Sequence, residues 1–295
     1  ILFGIVKWRQ IKEVLRDRIQ LENCKKIIFK WKQKVLAIGI IIVVLFTTVI
    51  FVSPKTLHLY FVDVGQGDCT LIKTSTNKNI LIDGGGSEFG NFDVGESILL
   101  PYLLDRKITT IDYMLISHMD SDHIGGLFAV MENLRVKNII ISKQGEESQN
   151  LIRFQEIVRD KKINVIVVKK GDNIVIDNYT YFEILFPEEN LIDDNILNNN
   201  SIVTMLHSLE LKILFTGDVE KIAEERLCEL YIDTNKLNAD ILKVAHHGSK
   251  TSSIAKFLEL VTPKIALIGV GENNNFGHPN EEVLERISDL RRKDI

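Results

Sequence analysis

His118-Met119-Asp120-Ser121-Asp122-His123-Ile124-Gly125-Gly126 crowds four metal-capable side chains into six residues and follows them with two glycines. The apolar run before it, Ile111-Asp112-Tyr113-Met114-Leu115-Ile116-Ser117, reads as a buried strand. The ligand-type residues therefore sit on a loop at a strand end, where two faces of a turn can grip two different ions.

The same arrangement recurs along the chain. Asp63-Val64-Gly65-Gln66-Gly67-Asp68 separates two strand-like runs, and Asp83-Gly84-Gly85-Gly86 ends a third. Thr216-Gly217-Asp218 follows an apolar strand, and His246-His247-Gly248-Ser249 follows another. Phe276-Gly277-His278-Pro279 follows a loop. Each alone is weak. Several strand ends that all present Asp or His describe one rim, where strands hold ligands rigidly and loops leave room for a substrate. Asp83 is read either as an acceptor that orients a ligand histidine or as an ordinary carboxylate in a turn.

Around these motifs the periodicity predicts strands at 57–64, 69–74, 79–83, 138–142, 164–168, 174–176, 181–186, 201–206, 212–216, 239–244 and 264–269. Helices are expected near 98–104 and at 127–133, 149–161, 222–231, 254–261 and 281–290. Mixed sheets with helices outside predict a layered α/β sandwich. Cys24, Cys69 and Cys228 are too few for a disulfide framework, and free thiols, buried for the last two, are expected.

Charge divides the chain unevenly. Residues 1–34 carry ten Lys/Arg against three Asp/Glu, net +7, and the rest carries 26 basic and 37 acidic groups, net −11. Between the basic segment and the acidic remainder lie 18 residues, 35–52, without a charge. As a helix they would reach about 27 Å, close to the thickness of a bilayer core. The expected organisation is a basic cytoplasmic segment at 1–34, a transmembrane helix at 35–52 and an outer domain at 53–295. Lysines crowd the first flank of the span, so the positive-inside rule places that domain on the extracytoplasmic side of the cell membrane. The chain begins at Ile1 with an apolar stretch and reads as a piece of something longer; residues 7–34 read as a loop or a plain basic helix.

These motifs together resemble the metallo-β-lactamase superfamily, whose signature is a His-x-His-x-Asp-His loop, an Asp after Thr/Ser-Gly, and a late His. Asp120 stands where the second histidine is usual. With that variant, Asp-Val-Gly-Gln-Gly-Asp, the asparagines before Ser201, His-His-Gly-Ser and Phe-Gly-His-Pro, residues 57–290 resemble the hydrolase domain of ComEC-type DNA-uptake proteins. The resemblance implies an αββα fold and two divalent ions. His118 and Asp120 would hold one ion, Asp122 and His123 the other, with Asp218 bridging and His247 completing the second site. The usual middle histidine has no clear match; Asn200 or water would take its place, and His207, inside a strand-like run, is a poor substitute. Asp63, Asp68, Asp83, Asn200, Ser249 and His278 are expected around the ions or the substrate.

Three carboxylates and three imidazoles make a harder donor set than an all-histidine site, so Mn stands beside Zn as the expected metal. Two such ions steady both oxygens of an in-line phosphoryl displacement. Asp122 and His246 are the expected catalytic residues; His246 contacts the phosphate, protonates the leaving oxygen, or merely neighbours a ligand. The expected function is a phosphodiesterase or nuclease that processes DNA during uptake at a membrane, beside other components of an uptake machinery. The alternatives are a surface phosphodiesterase on teichoic-acid or lipid headgroups and a non-catalytic channel scaffold. DNA rests on the resemblance, since a domain at net −11 lacks the basic surface of most nucleic-acid binders; Lys243, Lys250 and Lys256 are the basic residues expected near the rim.

Overall fold

Period-two burial in the strands explains the layers. In β3 (Asn79–Ile82) Leu81 faces one way, and Ile80 and Ile82 the other, as a pleated strand buried on both faces requires. The computed structural model describes residues 2–52, 55–86 and 92–292, and the chain divides into two units, residues 1–55 and 56–295.

The larger unit holds two six-stranded sheets. The first runs β1 (His58–Phe61), β2 (Thr70–Lys73), β3, β4 (Thr110–Leu115), β5 (Arg135–Ser142), β6 (Asn164–Val168), in that spatial order. From β3 to β6 neighbours are parallel. The second has β7 (Asn173–Val175), β8 (Thr180–Phe186), β9 (Val203–Ser208), β10 (Leu211–Phe215), β11 (Ile241–Lys243) and β12 (Ile265–Leu267), with β10, β11 and β12 parallel.

Three apolar layers bind these sheets. Ile72, Ile80, Ile82, Leu115 and Ile140 of the first sheet pack with Phe182, Ile184, Leu206, Ile213 and Phe215 of the second. Leu71, Leu81, Met114 and Ile139 face helices α2 (Leu100–Asp105), α3 (Ser121–Asn133) and α4 (Gln149–Lys161). Leu214 and Leu242 face α5 (Lys221–Tyr231), α6 (Ala255–Val261) and α7 (Glu281–Arg292). Each such side chain fully removed from water contributes about 1.5–3 kcal/mol. The result is the αββα sandwich. Cys69 and Cys228 are buried free thiols and Cys24 is an exposed one.

Several element bounds differ from the sequence expectations, two of them beside the strand-end motifs. The helix expected at 127–133 begins at Ser121, inside the metal-type loop, because its two glycines are contact points and not breakers: a Cβ on Gly126 would lie 2.1 Å from Gly84 O. The strand expected at 57–64 ends at Phe61, where the Asp63–Asp68 turn takes over. The smaller unit is one helix, α1 (Leu2–Val52), so residues 7–34 take the helical form, one of their two readings. The stretch expected as a transmembrane helix, 35–52, is helical, but among the described residues no helix is long and apolar enough to cross a membrane. The transmembrane expectation is therefore not carried by the structure.

A buried carboxyl ties the C-terminal helices together. Glu224 on α5 is fully buried, accepting from Ser253 N at 2.7 Å and Ile254 N at 2.8 Å, two of the otherwise unpaired donors where α6 begins. Arg286 on α7 donates to the Ser252 and Ser253 carbonyls. Burial pushes the Glu224 carboxyl up to about 7 from its ordinary 4.5, against the opposing pull of the two amides and Arg286. Between those values the folded protein holds a proton that the unfolded chain releases. This contribution to stability is complete below pH 4.5, falls as pH rises, and has lost about 3 kcal/mol once pH passes 7. Urea unfolding of wild type and Glu224→Gln from pH 4.5 to 8 should show the wild type alone carrying that slope; parallel profiles would refute it.

Candidate metal centre

Every parallel strand points its carboxyl end at one rim. Asp83 follows β3, His118 follows β4, Asp218 follows β10, His246 and His247 follow β11, and Gly269 follows β12. Crevices at the carboxyl ends of parallel strands are where α/β folds bind ligands.

The geometry converges on Asp122, His123, Asp218 and His247, whose ligand atoms all lie within 4.8 Å of one another. His123 Nε2 is 3.1 Å from Asp218 Oδ1 and 3.3 Å from His247 Nε2. His247 Nε2 is 3.1 Å from Asp122 Oδ2 and 3.2 Å from Asp218 Oδ2. Beside them the His118 ring lies 4.1 Å from that of His123, and its Nε2 is 3.4 Å from Asp120 Oδ2. Asp120 stands at the N-cap of α3 without capping it, which leaves its carboxylate at the rim. His118 Nε2 and Asp218 Oδ1 are each buried without a hydrogen-bond partner, a costly state that a cation beside either would relieve. Opposed imidazole nitrogens, unpartnered buried acceptors and carboxylates on three sides are the donor set of divalent ions, and the residues fit.

Neighbours fix the donors. Asp83 accepts from Ser117 N at 2.8 Å and lies 2.9 Å from His123 Nδ1, so the histidine presents Nε2 to the centre, as an orienting carboxylate does. Gly269 O, 2.7 Å from His247 Nδ1, does the same there. Ser117 Oγ stands 3.0 Å from His118 Nδ1. Burial disfavours the charged imidazolium of His123, but Asp218 and Asp83 outweigh it and hold its pKa well above the usual value. His247 is likewise raised against burial by Asp218 and Asp68. Asp218 is held well below the carboxylate range, against burial, by His123 and His247.

Other expected residues stand elsewhere. Asn200 is not turned to the centre: its amide accepts from Ile192 N and donates to Ile192 O and Ile196 O, pinning the 192–196 loop. His207 stacks on Tyr181 at 4.5 Å and meets Glu183. Asp63 accepts from Gly65 N and Ser249 pairs with Thr251, both local turns. Lys243 is not a rim cation: it is buried, ion-paired with Asp68 and donating to Val244 O. Asp68 in turn lies 3.5 Å from His247 Nδ1. His246 sits at the mouth, Nε2 4.0 Å from Asp218 Oδ2, with His278 packed edge-on at 5.7 Å. Sequence reading missed Ser117, Gly269, Glu220 and Thr251; only their places beside strand-end motifs marked them.

An αββα sandwich with Asp and His donors at the strand ends of both sheets defines a class of metal-dependent hydrolases. The chain belongs to the metallo-β-lactamase superfamily, whose profile matches residues 62–272. It is 31% identical over 235 residues to ComE operon protein 3 of Bacillus subtilis (strain 168), covering 76% of this chain and 30% of that protein. It is also 31% identical over 226 residues to Competence protein ComA of Neisseria gonorrhoeae, covering 76% of this chain and 28% of that protein. The resemblance to ComEC-type competence proteins read from the motifs is thus borne out, and the chain spans about three-tenths of the length of these relatives. CmlA, a diiron β-hydroxylase from Streptomyces venezuelae, shares the fold at a TM-score of 0.51 and 13% identity, over 82% of this chain and 52% of that one.

Proposed function

We propose that this chain is a phosphodiesterase that degrades or processes DNA during its uptake, working at the cell membrane on the extracytoplasmic side beside other uptake components. The observation that carries the reading is the convergence of Asp122, His123, Asp218 and His247, with His118 and Asp120 alongside. Asp122, His123, Asp218 and His247 would hold one divalent ion, and His118, Asp120 and Asp218 the other. The chemistry a divalent ion such as Zn or Mn would supply there is polarisation of a phosphoryl oxygen and hydroxide near neutral pH. Asp83 keeps His123 aimed, and Asp122 shares in both holding the metal and placing the attacking oxygen. His246 gives a proton to the leaving oxygen from the mouth of the centre.

The names of the relatives, ComE operon protein 3 and Competence protein ComA, support DNA as the polymer. Exposed apolar side chains around α1, among them Val35, Ile41 and Phe46, support attachment at a membrane. The net −11 of residues 35–295, with Lys243 withdrawn from the surface and only Lys250 and Lys256 exposed of the three basic residues expected near the rim, weighs against a long polyanion and favours a second reading, a phosphodiesterase on lipid headgroups, small diesters that need no basic track.

Assaying the full chain with Mn or Zn on single-stranded DNA and on bis(p-nitrophenyl) phosphate separates the readings. Cleavage of both supports the DNA enzyme, cleavage of the small ester alone supports the headgroup enzyme, and silence on both leaves a non-catalytic scaffold.

A further inference from the structure

The carboxylate of Glu220 stands at the N-cap of α5 and does not cap it. Its Oε1 instead accepts a 3.0 Å hydrogen bond from Thr251 Oγ1 and lies 3.4 Å from His246 Nδ1. Thr251 Oγ1 is itself 3.4 Å from the same nitrogen. With its proton given to Glu220, the threonine oxygen is left to accept from the imidazole. Both oxygens on this side of the ring are therefore acceptors for an Nδ1–H, and the opposite nitrogen, Nε2, is the one that looks toward Asp218.

The three residues are braced from behind. Glu220 N donates to Asn199 Oδ1 at 3.1 Å, and Lys221 N donates to Thr251 O at 2.8 Å. His246 N donates to Gly217 O at 3.2 Å, and its backbone is left-handed, with φ 48°. A non-glycine residue persists in that conformation only where its surroundings insist on it. The Asn198-Asn199-Asn200 stretch thereby acquires a use: Asn199 fixes the start of α5 so that Glu220 reaches the histidine.

We infer that Glu220 and Thr251 are positioning residues that hold His246 with Nδ1–H engaged and Nε2 aimed at the leaving oxygen of the substrate. This rests on the phosphodiesterase reading. In the step concerned, the bond from phosphorus to the attacking hydroxide forms. The bond from phosphorus to the leaving oxygen breaks, with its electron pair staying on that oxygen. The oxygen takes the proton from His246 Nε2, and the imidazole is left neutral with Nδ1–H still held by Thr251 and Glu220. An acidic residue behind a histidine fixes its tautomer and orientation in the same way in other hydrolases.

The test compares two diesters cleaved by the metal-loaded full chain: a thymidine dinucleotide, whose alkoxide leaving group needs a proton, and bis(p-nitrophenyl) phosphate, whose nitrophenolate leaves without one. In Glu220→Ala and Thr251→Val the ratio of kcat on the dinucleotide to kcat on the aryl ester should fall at least about 10-fold, part of the range that positioned proton transfer contributes. In a His246→Ala background, the same substitutions should leave the ratio where His246→Ala alone puts it. A ratio unchanged in both single variants overturns the inference, even if overall activity drops, because a merely structural network lowers both substrates together. A further fall of the ratio in the His246→Ala background overturns it as well. Wild type that cleaves only the aryl ester refutes the inference and spares the phosphodiesterase reading; wild type that cleaves neither refutes both.

Discussion

Asp218→Ala should lower metal-dependent phosphodiester hydrolysis by at least about 1,000-fold, a loss near 4 kcal/mol of transition-state stabilisation. Among the described residues Asp218 is the one carboxylate within 4.0 Å of both His123 and His247, at 3.1 Å and 3.2 Å. Its backbone N donates to Ser201 Oγ at 3.2 Å, which holds the residue in place at the end of β10. Calorimetric titration with Mn or Zn should find fewer ions bound, or the same ions bound far more weakly, while the thermal transition of the metal-free protein shows that the chain still folds. Undiminished hydrolysis by the variant would remove the proposed centre from consideration.

The second large effect lies where nothing is ionised. A Cβ on Gly86 would sit 1.8 Å from Ser121 O, and Gly86 has φ 157°; a Cβ on Gly67 would sit 2.2 Å from Asp122 O. These two turns press against the first turn of α3, the segment that carries Asp122 and His123. Around them Gly84 N donates to His123 O, Gly85 N to Asp68 O and Gly126 N to Gly85 O, at 2.7–2.8 Å. Gly86→Ala should therefore cost about 4 kcal/mol, combining backbone strain with a clash against main chain, and lower the melting temperature by roughly 10 °C. Differential scanning calorimetry of the metal-free variant reads this directly; a melting temperature within 2 °C or so of wild type would show that the turn relaxes.

The parts of the fold written in short-range pattern were legible. The stripe of Leu151, Phe154 and Ile157 marked α4 at its observed ends, and β6 was also bounded as found. The donors at strand ends were legible for a related reason: polar residues at the close of apolar runs stand out against their surroundings. What stayed hidden depends on partners far along the chain. Lys243 reads as a surface cation until Asp68 is seen against it. The start of α3 is placed after Gly125-Gly126 until Gly84 is seen against Gly126. Asn200 reads as a stand-in for the missing middle histidine until its amide is found spent on the 192–196 loop. Glu220 drew no reading from the sequence, because the histidine it faces lies 26 residues on.

His118, Asp120, Asp122 and His123 belong to the half of the sandwich built on the first sheet, and Asp218 and His247 to the half built on the second. The spacing across the centre is therefore set by the layer of Ile72, Ile80, Leu115, Ile184 and Leu206 between the sheets. That layer acts as a shim. Trimming or enlarging a side chain in it slides one half of the donor set against the other, so the metal preference of the centre is adjustable from residues that never touch an ion.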